Sequence, residues 1–363
     1  MKNSFGNNII VTIAGESHSD AICVILDGIA PGTPIDREFI SSRLALRRPS
    51  GKISTARREA DEFSITSGVF NGYATGTPIC ILISNEDKKS SDYEKTKNLC
   101  RPGHADYTAN EKYHGYQDYR GGGHFSGRIT AGLVAAGAIC LSALKNHGIE
   151  LATHISVCGG ISDIPFKNYE EDIKKLSELS FPVLDDSIAE KMKDLISLVA
   201  SEGDSIGGIL ETAVIGLPAG LGEPWFDSCE STLSHILFSV PAVKGVEFGA
   251  GFKLSDMRGS EANDSFSVKD GKVITETNNN GGINGGITNS MPLTFRCVVK
   301  PTPSISKEQK TVSLENMSDT SISIKGRHDP CIVHRAASVI NACTAIALLD
   351  IISGRYGTDL KGL

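Results

Sequence analysis

The sequence of 363 residues lacks the long apolar runs that mark membrane and secreted proteins. Its most apolar run, residues 131–144, is interrupted by glycine and serine and is shorter than the roughly 20 residues that a membrane span needs. The first residues, Met1–Gly6, contain no apolar signal-peptide core. We therefore expect a cytoplasmic protein with no membrane partner.

Cysteine pairs and excess positive charge are also missing. None of the nine cysteines belongs to a Cys-x-x-Cys pair, and no His/Cys cluster has the spacing of metal ligands. We therefore expect reduced, mostly buried thiols and no metal site. The formal net charge is -7 and the sequence pI is about 5.8, which argues against nonspecific binding of nucleic acid.

The common nucleotide-binding motifs are absent as well. No Gly-Lys-Ser/Thr ending completes a Walker A motif, and no Gly-x-Gly-x-x-Gly follows a strand. Instead, 38 glycines exceed the usual share of about 7%, and they concentrate in clusters such as Gly121–Gly123 and residues 278–290. Because glycine lets backbone amides approach an anion closely, each cluster is a candidate phosphate cradle, with a flexible turn or mobile loop as the alternative.

Hydrophobic patterning predicts both buried and surface helices. Gly127–Asn146 and Arg335–Ile352 are apolar nearly all round, which predicts helices in the interior. In Asp186–Ser201 the apolar residues recur at helical spacing. This segment is predicted to form an amphipathic surface helix, with one of residues 185–187 as its N-cap.

The predicted strands are short and often end in glycine. They are Asn8–Ile13, Ala21–Leu26, Pro78–Ile83, Gly207–Ile215, Val243–Phe248 and Leu293–Val299. Because helices and strands do not alternate regularly, their order favours an α+β fold, with antiparallel sheets packed on a helical core, over a doubly wound parallel sheet. The polar stretches 85–98, 165–187 and 305–325 are predicted to lie outside the core. No linker divides the chain, so we expect a single large domain over residues 1–363.

Three residues are candidates for proton transfer. His18 follows a predicted strand in the segment GESHSD, and His104 lies in the Pro-Gly turn RPGHAD. Histidine titrates near neutral pH and suits a general acid or base, with a hydrogen-bonded structural histidine or a surface ion pair as the alternative. Asp329, just before the second apolar helix, is either a carboxylate for proton transfer or a helix N-cap.

Basic residues cluster near these segments. The arginine-rich stretch 43–58 is either an anion site or a solvated basic face. Arg101 and Arg128 accompany the glycine-rich turns and suit bidentate binding of an anion. The segment Lys300–Ser304, KPTPS, predicts a small phosphate clamp or a rigid surface turn. Together these features indicate an enzyme that acts on a polyanionic small molecule with a phosphorylated cofactor.

Taken together and in this order, the segments closely resemble the chorismate synthase family over essentially the whole chain. The matching motifs are GESHSDAICVILDG (15–28), RRPSGKISTARREADEFSITSGVFNGYATGTPI (47–79), RPGHADYTANEKY (101–113), DYRGGGHFSGRITAG (118–132), GLPAGLGEPWFD (216–227), AVKGVEFGAGF (242–252), NNNGGINGGITNS (278–290), KPTPS (300–304) and GRHDPC (326–331). Any one of these motifs is a weak signal, whereas nine in register are highly specific.

The resemblance implies an anti-1,4-elimination of phosphate from 5-enolpyruvylshikimate 3-phosphate to give chorismate, a step of the shikimate pathway that leads to aromatic amino acids. It also implies reduced FMN as a cofactor without net redox change, a β-α-β sandwich with helices between two antiparallel sheets, and a homotetramer. No reductase domain is visible, so we expect an external flavin reductant. The alternatives are a flavin-dependent lyase on another phosphorylated substrate and a noncatalytic flavin-binding protein.

The resemblance assigns roles to residues by matching motifs. His18 would protonate the departing phosphate, His104 would hold a proton near N1 of FMN, and Asp329 would assist loss of the substrate C6 proton together with N5 of the flavin. The residues implied in substrate binding are Arg47, Arg48, Lys52, Arg101 and Arg128. Those implied in flavin binding are His124, Phe125, Ser126, Ala242, Gly285, Lys300, Pro301, Thr302, Pro303, Ser304 and Arg327. The residues that depart from the family's usual pattern include Ser19, Lys52, His124, Phe125 and Pro241.

Overall fold

The computed structural model describes residues 2–49, 51, 53–54, 59–86, 94, 97–324 and 329–363. Lys52 and Arg327, which the resemblance assigns to the substrate and the flavin, lie outside the described residues. Most of the polar stretch 85–98 also lies outside them. In the described part, two antiparallel sheets enclose a layer of helices.

The first sheet has the strand order β1-β2-β3-β7-β4, and all neighbouring strands are antiparallel. Its strands are β1 (Ser4–Phe5), β2 (Ile10–Ala14), β3 (Ala21–Asp27), β4 (Phe63–Ser67) and β7 (Ile79–Ser84), and a small hairpin joins β5 (Val69–Phe70) to β6 (Tyr73–Ala74). Ile22 opposes Ile83 and Val24 opposes Ile81, and all four side chains are fully buried. Because side chains alternate along a strand, one face of this sheet is apolar and covers the helices.

The second sheet has the order β11-β16-β10-β8-β9 and is also antiparallel. Its strands are β8 (Glu150–Cys158), β9 (Ile161–Ser162), β10 (Gly208–Ile215), β11 (Val243–Phe248) and β16 (Leu293–Val299). Ile155, Leu210 and Cys297 lie side by side across three strands and are buried. Separate hairpins are formed by β12 (Phe266–Lys269) and β13 (Lys272–Thr275), β14 (Ile283–Asn284) and β15 (Ile287–Thr288), and β17 (Gln309–Ser313) and β18 (Ser318–Ile322).

The layer between the sheets contains the long apolar helices. The described helices are α1 (Arg37–Arg47), α2 (Asp106–Tyr113), α3 (Thr130–Lys145), α4 (Tyr169–Leu176), α5 (Asp186–Ser201), α6 (Cys229–Leu237), α7 (Gly259–Ala262) and α8 (Val333–Tyr356). Helix α3 packs on strands of the first sheet, α8 packs on β8 and β10 of the second, and the two helices contact each other. The predicted α+β class and the β-α-β sandwich are therefore confirmed.

Most of the predicted elements are confirmed. Helix α5 covers the predicted range, and Asp185 caps it, its carboxylate accepting the Ser187 N–H at 2.8 Å. The polar stretch 165–187 contains α4, which packs on the outer face of the second sheet. There Ile173 and Leu176 form a small cluster with two alanines of β8 and β10, apart from the main core.

By length and composition alone, Gly127–Lys145 and Val333–Tyr356 could each cross a membrane, so the expectation that no stretch is long enough is wrong. Within the fold, however, 78% and 83% of their most apolar windows are buried. Helices that are apolar all round fill the interior of a protein when other elements cover them. Their position between the two sheets accounts for their hydropathy.

A buried carboxylate on α8 fastens the region before β2. Asp350 accepts hydrogen bonds from the backbone N–H groups of Asn7 at 3.0 Å, Asn8 at 2.6 Å and Ile9 at 2.9 Å. A buried charge without partners would be costly, and these three donors satisfy it. Helix α8 therefore both fills the core and fixes where β2 begins.

Helices α3 and α8 approach each other closely at Gly137. A Cβ atom added to Gly137 would lie 2.4 Å from Cβ of Ala342 and 2.5 Å from its Cα. Real Cβ atoms essentially never come that close to another heavy atom. Glycine is therefore needed at this crossing for steric reasons.

Replacing Gly137 with alanine is expected to lower the free energy of unfolding by about 1–3 kcal/mol, because the added methyl group forces α8 to move. Urea denaturation of the variant measures the change. Gly259→Ala is the matched control and is expected to be close to neutral, because no atom lies within 4 Å of its added Cβ and its φ is not positive. A Gly137→Ala protein as stable as the wild type would contradict the close crossing.

Candidate active site

A cavity of about 1450 Å³ lies beside the N-terminal ends of α3 and α8 and the loop after β2. His18, His104 and Asp329, the three candidates for proton transfer, all line it. His18 is buried, whereas His104 and Asp329 are partly buried. Residues from three distant parts of the sequence therefore meet in one place.

The triple glycine before α3 positions both histidines. Gly121, Gly122 and Gly123 have φ values of +60°, +82° and +52°, which glycine adopts without strain. A Cβ added to Gly121 would lie 2.3 Å from Cε1 of His18, and one added to Gly122 would lie 3.2 Å from Cε1 of His104. The absence of side chains in this turn therefore lets two imidazole rings pack against neighbouring backbone positions.

His104 is oriented by a carboxylate that the sequence analysis did not single out. Its Nδ1 lies 2.9 Å from Oδ1 of Asp106, and Arg101 donates to the same carboxylate from Nε at 2.7 Å and Nη2 at 2.6 Å. Burial alone would raise the pKa of Asp106, but the hydrogen bonds from Arg101 and His104 hold that pKa well below its usual range. Because an ionised carboxylate only accepts hydrogen bonds, Nδ1 carries a proton and Nε2 is the atom left for a ligand.

Arg47 and Arg128 share one buried carboxylate, Asp61. Asp61 lies 3.1 Å from Nη2 of Arg47 and also forms a short ion pair with Nη1 of Arg128. The side chains of Arg47, Arg128 and Asp61 are only 5%, 3% and 0% exposed. Arg128 also donates to the side-chain oxygen of Asn85 and the backbone carbonyl of Ser84. The cavity wall therefore holds two guanidinium groups in fixed positions.

Burial and charge shift the pKa values in this cluster. Burial lowers the pKa of Arg47 to about 10, since the attraction of Asp61 only partly offsets it. Burial would raise the pKa of Asp61, but the two arginines outweigh it and lower that pKa. Glu59, which is also buried and lines the cavity, lies 3.9 Å from Nη2 of Arg128, so two guanidinium groups meet two carboxyl side chains in this cluster.

Asp329 is held by Arg335, a residue of the first turns of α8. Nη1 of Arg335 donates to Oδ2 of Asp329 at 2.7 Å, and its Nε donates to the backbone carbonyl of Arg47 at 2.9 Å. Arg335 also lines the cavity. This residue was not among the predicted site residues.

The residues assigned to the flavin by resemblance divide into two groups. Those that line the cavity are His124, Phe125, Ser126, Ala242, Lys300, Thr302, Pro303 and Ser304. Gly285 and Pro301 are exposed and are not among the lining residues. Arg48, assigned to the substrate, also lies outside the lining and donates to the carbonyl of Ala60 at 2.8 Å. Arg101 joins Arg47 and Arg128 in the lining.

The loops of the flavin group are tied to the acid/base segments. Nδ1 of His124 donates to the carbonyl of Gly15 at 2.8 Å, and Nζ of Lys300 donates to the carbonyl of Gly103. Ser126 accepts the N–H of Arg128 at 3.3 Å. These contacts hold the segments around His18, His104 and Arg128 in one wall.

The cavity fits a flavin together with a second ligand. Its volume exceeds the roughly 300–1,000 Å³ of a pocket for one small molecule. Its wall combines apolar side chains such as Phe125, Leu133 and Val339 with the arginines. In addition, Oγ1 of Thr302 is buried and has no hydrogen-bond partner among the described residues, so a polar ligand atom would satisfy it.

The fold and the site together define an enzyme that handles anionic small molecules by proton transfer in a partly apolar cavity. The family model for chorismate synthase matches residues 9–352. Curated chorismate synthases from Dehalococcoides mccartyi strain BAV1 and Thermococcus gammatolerans are 48% and 46% identical, over 97% and 95% of this chain and 96% of each relative. A solved crystal structure of chorismate synthase superposes with a TM-score of 0.77 at 28% identity, covering 97% of this chain and 94% of that one.

The chain therefore belongs to the chorismate synthase family. It is a lyase of the shikimate pathway that acts on a small molecule, and the family implies a flavin cofactor. The family, the fold class and the enzyme class predicted from the sequence are confirmed.

Proposed function

We propose that this chain forms chorismate and inorganic phosphate from 5-enolpyruvylshikimate 3-phosphate by an anti-1,4-elimination in the cavity described above. The observation that carries the proposal is that His18, His104 and Asp329 line one cavity with the buried Arg47 and Arg128. In the elimination the C–H bond at C6 breaks, its electron pair moves into the ring, and the C3–O bond breaks so that phosphate leaves with that bond's electron pair. The reaction therefore needs a proton acceptor, a proton donor and cations for the leaving group.

The arginines bind the anionic substrate in this proposal. The substrate carries a phosphate and two carboxylates, and guanidinium groups bind such groups through paired N–H donors. Arg47 and Arg128 are buried, so water screens them weakly and their effect on the departing phosphate is strong. Asp61 offsets one of their two charges and holds both in place.

The two histidines have different roles in this proposal. His18 protonates the departing phosphate, and its buried position against Gly121 fixes its direction. His104 holds a proton at Nε2 near N1 of the flavin, because its Nδ1 is occupied by Asp106. Asp106 also fixes the orientation of the His104 ring.

In this proposal Asp329 assists loss of the C6 proton, and the cofactor is reduced FMN. When bound, reduced FMN supplies an electron-rich ring that shares charge with the substrate as phosphate leaves. Residues of the cavity wall would hold it, namely His124, Phe125, Ser126, Ala242, Lys300, Thr302, Pro303 and Ser304.

We also propose that residues 1–363 form one domain of a cytoplasmic homotetramer that receives reduced FMN from an external reductant. The family match covers residues 9–352 as one unit, which supports a single domain over this range. Trp225, Phe226 and Phe252 are 85%, 87% and 83% exposed in a single copy. Large exposed aromatic side chains are typical of surfaces that another chain covers.

The test is an anaerobic assay with chemically reduced FMN and 5-enolpyruvylshikimate 3-phosphate, followed by chorismate absorbance and phosphate release. Both products are expected in equal amounts, and only when the flavin is reduced. Flavin binding without turnover of this substrate would favour a lyase for another phosphorylated substrate or a noncatalytic flavin-binding protein. Turnover with oxidised FMN and NADPH alone would contradict the external reductant.

A further inference from the structure

Arg335 connects two functional parts of the cavity wall. Its guanidinium binds the Asp329 carboxylate at 2.7 Å through Nη1 and the Arg47 backbone carbonyl at 2.9 Å through Nε. The side chains of Arg335 and Asp329 are 15% and 17% exposed, so both bonds are largely shielded from water. A planar guanidinium that is held at two of its nitrogens has a fixed orientation.

The backbone around Asp329 is also restrained. Pro330 follows it directly and limits the backbone conformations that Asp329 can adopt. The carbonyl of Pro330 accepts the N–H of Ile206 at 2.9 Å, which fastens this segment next to β10. With the backbone fixed in this way, the bond to Arg335 restrains the direction in which the carboxylate of Asp329 points.

The bond from Arg335 to the Arg47 carbonyl links Asp329 to the arginine cluster. Arg47 is the last residue of α1, and its side chain belongs to the buried cluster with Asp61 and Arg128. A chain of bonds therefore runs from Asp329 through Arg335 and Arg47 to Asp61. These bonds connect Asp329, which is proposed to assist proton loss, to the arginines that are proposed to bind the anionic groups.

We propose that Arg335 is a positioning residue that holds the Asp329 carboxylate in the direction from which it assists loss of the C6 proton, at a fixed separation from the arginines that bind the anionic groups. This inference rests on the proposed function of Asp329. Arg335 acts through Asp329 and not on the substrate. Its loss therefore affects the proton-transfer step more than substrate binding, since a displacement of about 1 Å costs up to roughly 100-fold in rate.

The test measures kcat and KM for Arg335→Ala, Asp329→Asn and the double variant, with reduced FMN under anaerobic conditions. We expect Arg335→Ala to lower kcat about 10- to 100-fold while KM changes less than about threefold. The double variant is expected to be no slower than Asp329→Asn alone, because a residue that acts only through Asp329 has nothing to add once that carboxylate is gone.

Chemical rescue supplies a second readout, which loss of folding would not produce. Guanidinium at millimolar concentration is expected to raise the kcat of Arg335→Ala at least severalfold, since it can occupy the vacated space and bind Asp329. Arg335→Lys is expected to retain intermediate activity.

Arg43→Ala is the matched control. Arg43 lies on α1, donates to the Ser177 carbonyl at 2.6 Å and lies outside the cavity lining, so its loss is expected to leave kcat unchanged and insensitive to guanidinium.

Three results would overturn the proposal. If KM rises and kcat is unchanged, Arg335 binds the substrate directly. If the losses of the two single variants multiply in the double variant, Arg335 acts independently of Asp329. If Asp329→Asn is fully active, the role of Asp329 is wrong and Arg335 has no carboxylate to position. Failure of the proposed function is distinguishable from all three, because the wild-type chain would then form no chorismate.

Discussion

Asp61→Asn is expected to lower the free energy of unfolding by roughly 3–5 kcal/mol, the cost of removing one partner from a buried ion pair. The substitution leaves Arg47 and Arg128 buried side by side without their shared counter-ion. Their mutual repulsion then displaces both side chains from the cavity wall. Because kcat/KM depends on how well those two cations meet the anionic groups, we expect it to fall at least about 100-fold.

Urea denaturation and the anaerobic assay measure these two effects of Asp61→Asn. Since the native pKa of Asp61 is lowered, its contribution to stability is present above the unfolded value of about 3.9 and is lost as the pH falls through the native value. The difference in stability between wild type and variant should therefore shrink as the solution is acidified. Asp204→Asn, which removes the exposed partner of Lys307, is the control and should change neither quantity measurably. A variant of Asp61 with wild-type stability at neutral pH would contradict this account of the cluster.

His18→Ala, His104→Ala and Asp329→Ala are each expected to lower turnover about 100- to 10,000-fold, the usual contribution of a positioned acid or base. Each protein should remain folded, because these side chains line a cavity and their removal leaves space that water can fill. Rapid mixing with reduced FMN under anaerobic conditions measures the chemical step, and circular dichroism verifies the fold. His147→Ala, at an exposed position near the end of α3, is the matched control. Near-normal turnover in all three variants would contradict the acid/base roles proposed for these residues.

The sequence predicted those helices and strands whose hydrophobic pattern matches their burial in the fold. Helices α3, α5 and α8 were predicted because their apolar residues occupy the positions that are buried in each helix. Strand β8 was not predicted, although it is an internal strand of the second sheet, between β10 and β9. It carries buried polar residues: Thr153 binds Thr212 and Asn341, and His154 binds Asp163 and Glu211. Such a strand does not look apolar, because its polar groups are satisfied by partners far away in sequence.

The same reasoning separates the site residues that were predicted from those that were missed. His18, His104 and Asp329 lie in short motifs, so the neighbouring residues identified them. Asp61 matters because of its contact with Arg128 across 67 positions of sequence, and the second anchor of Arg335, the Arg47 carbonyl, lies 288 positions away. No local pattern encodes such a contact. Only the fold brings these partners together.

The bonds between Asp350 and residues 7–9 bear on how the protein is made. Asp350 of helix α8 lies 342 positions after Asn8 and is synthesised much later, yet α8 fills the middle of the sandwich and holds residues 7–9. The apolar face of the second sheet, on which α8 packs, therefore lacks this cover until α8 has been synthesised. Contacts that join such distant positions form slowly, and exposed apolar strands aggregate easily. We therefore expect the unfinished chain to be prone to aggregation until residue 350 has been synthesised.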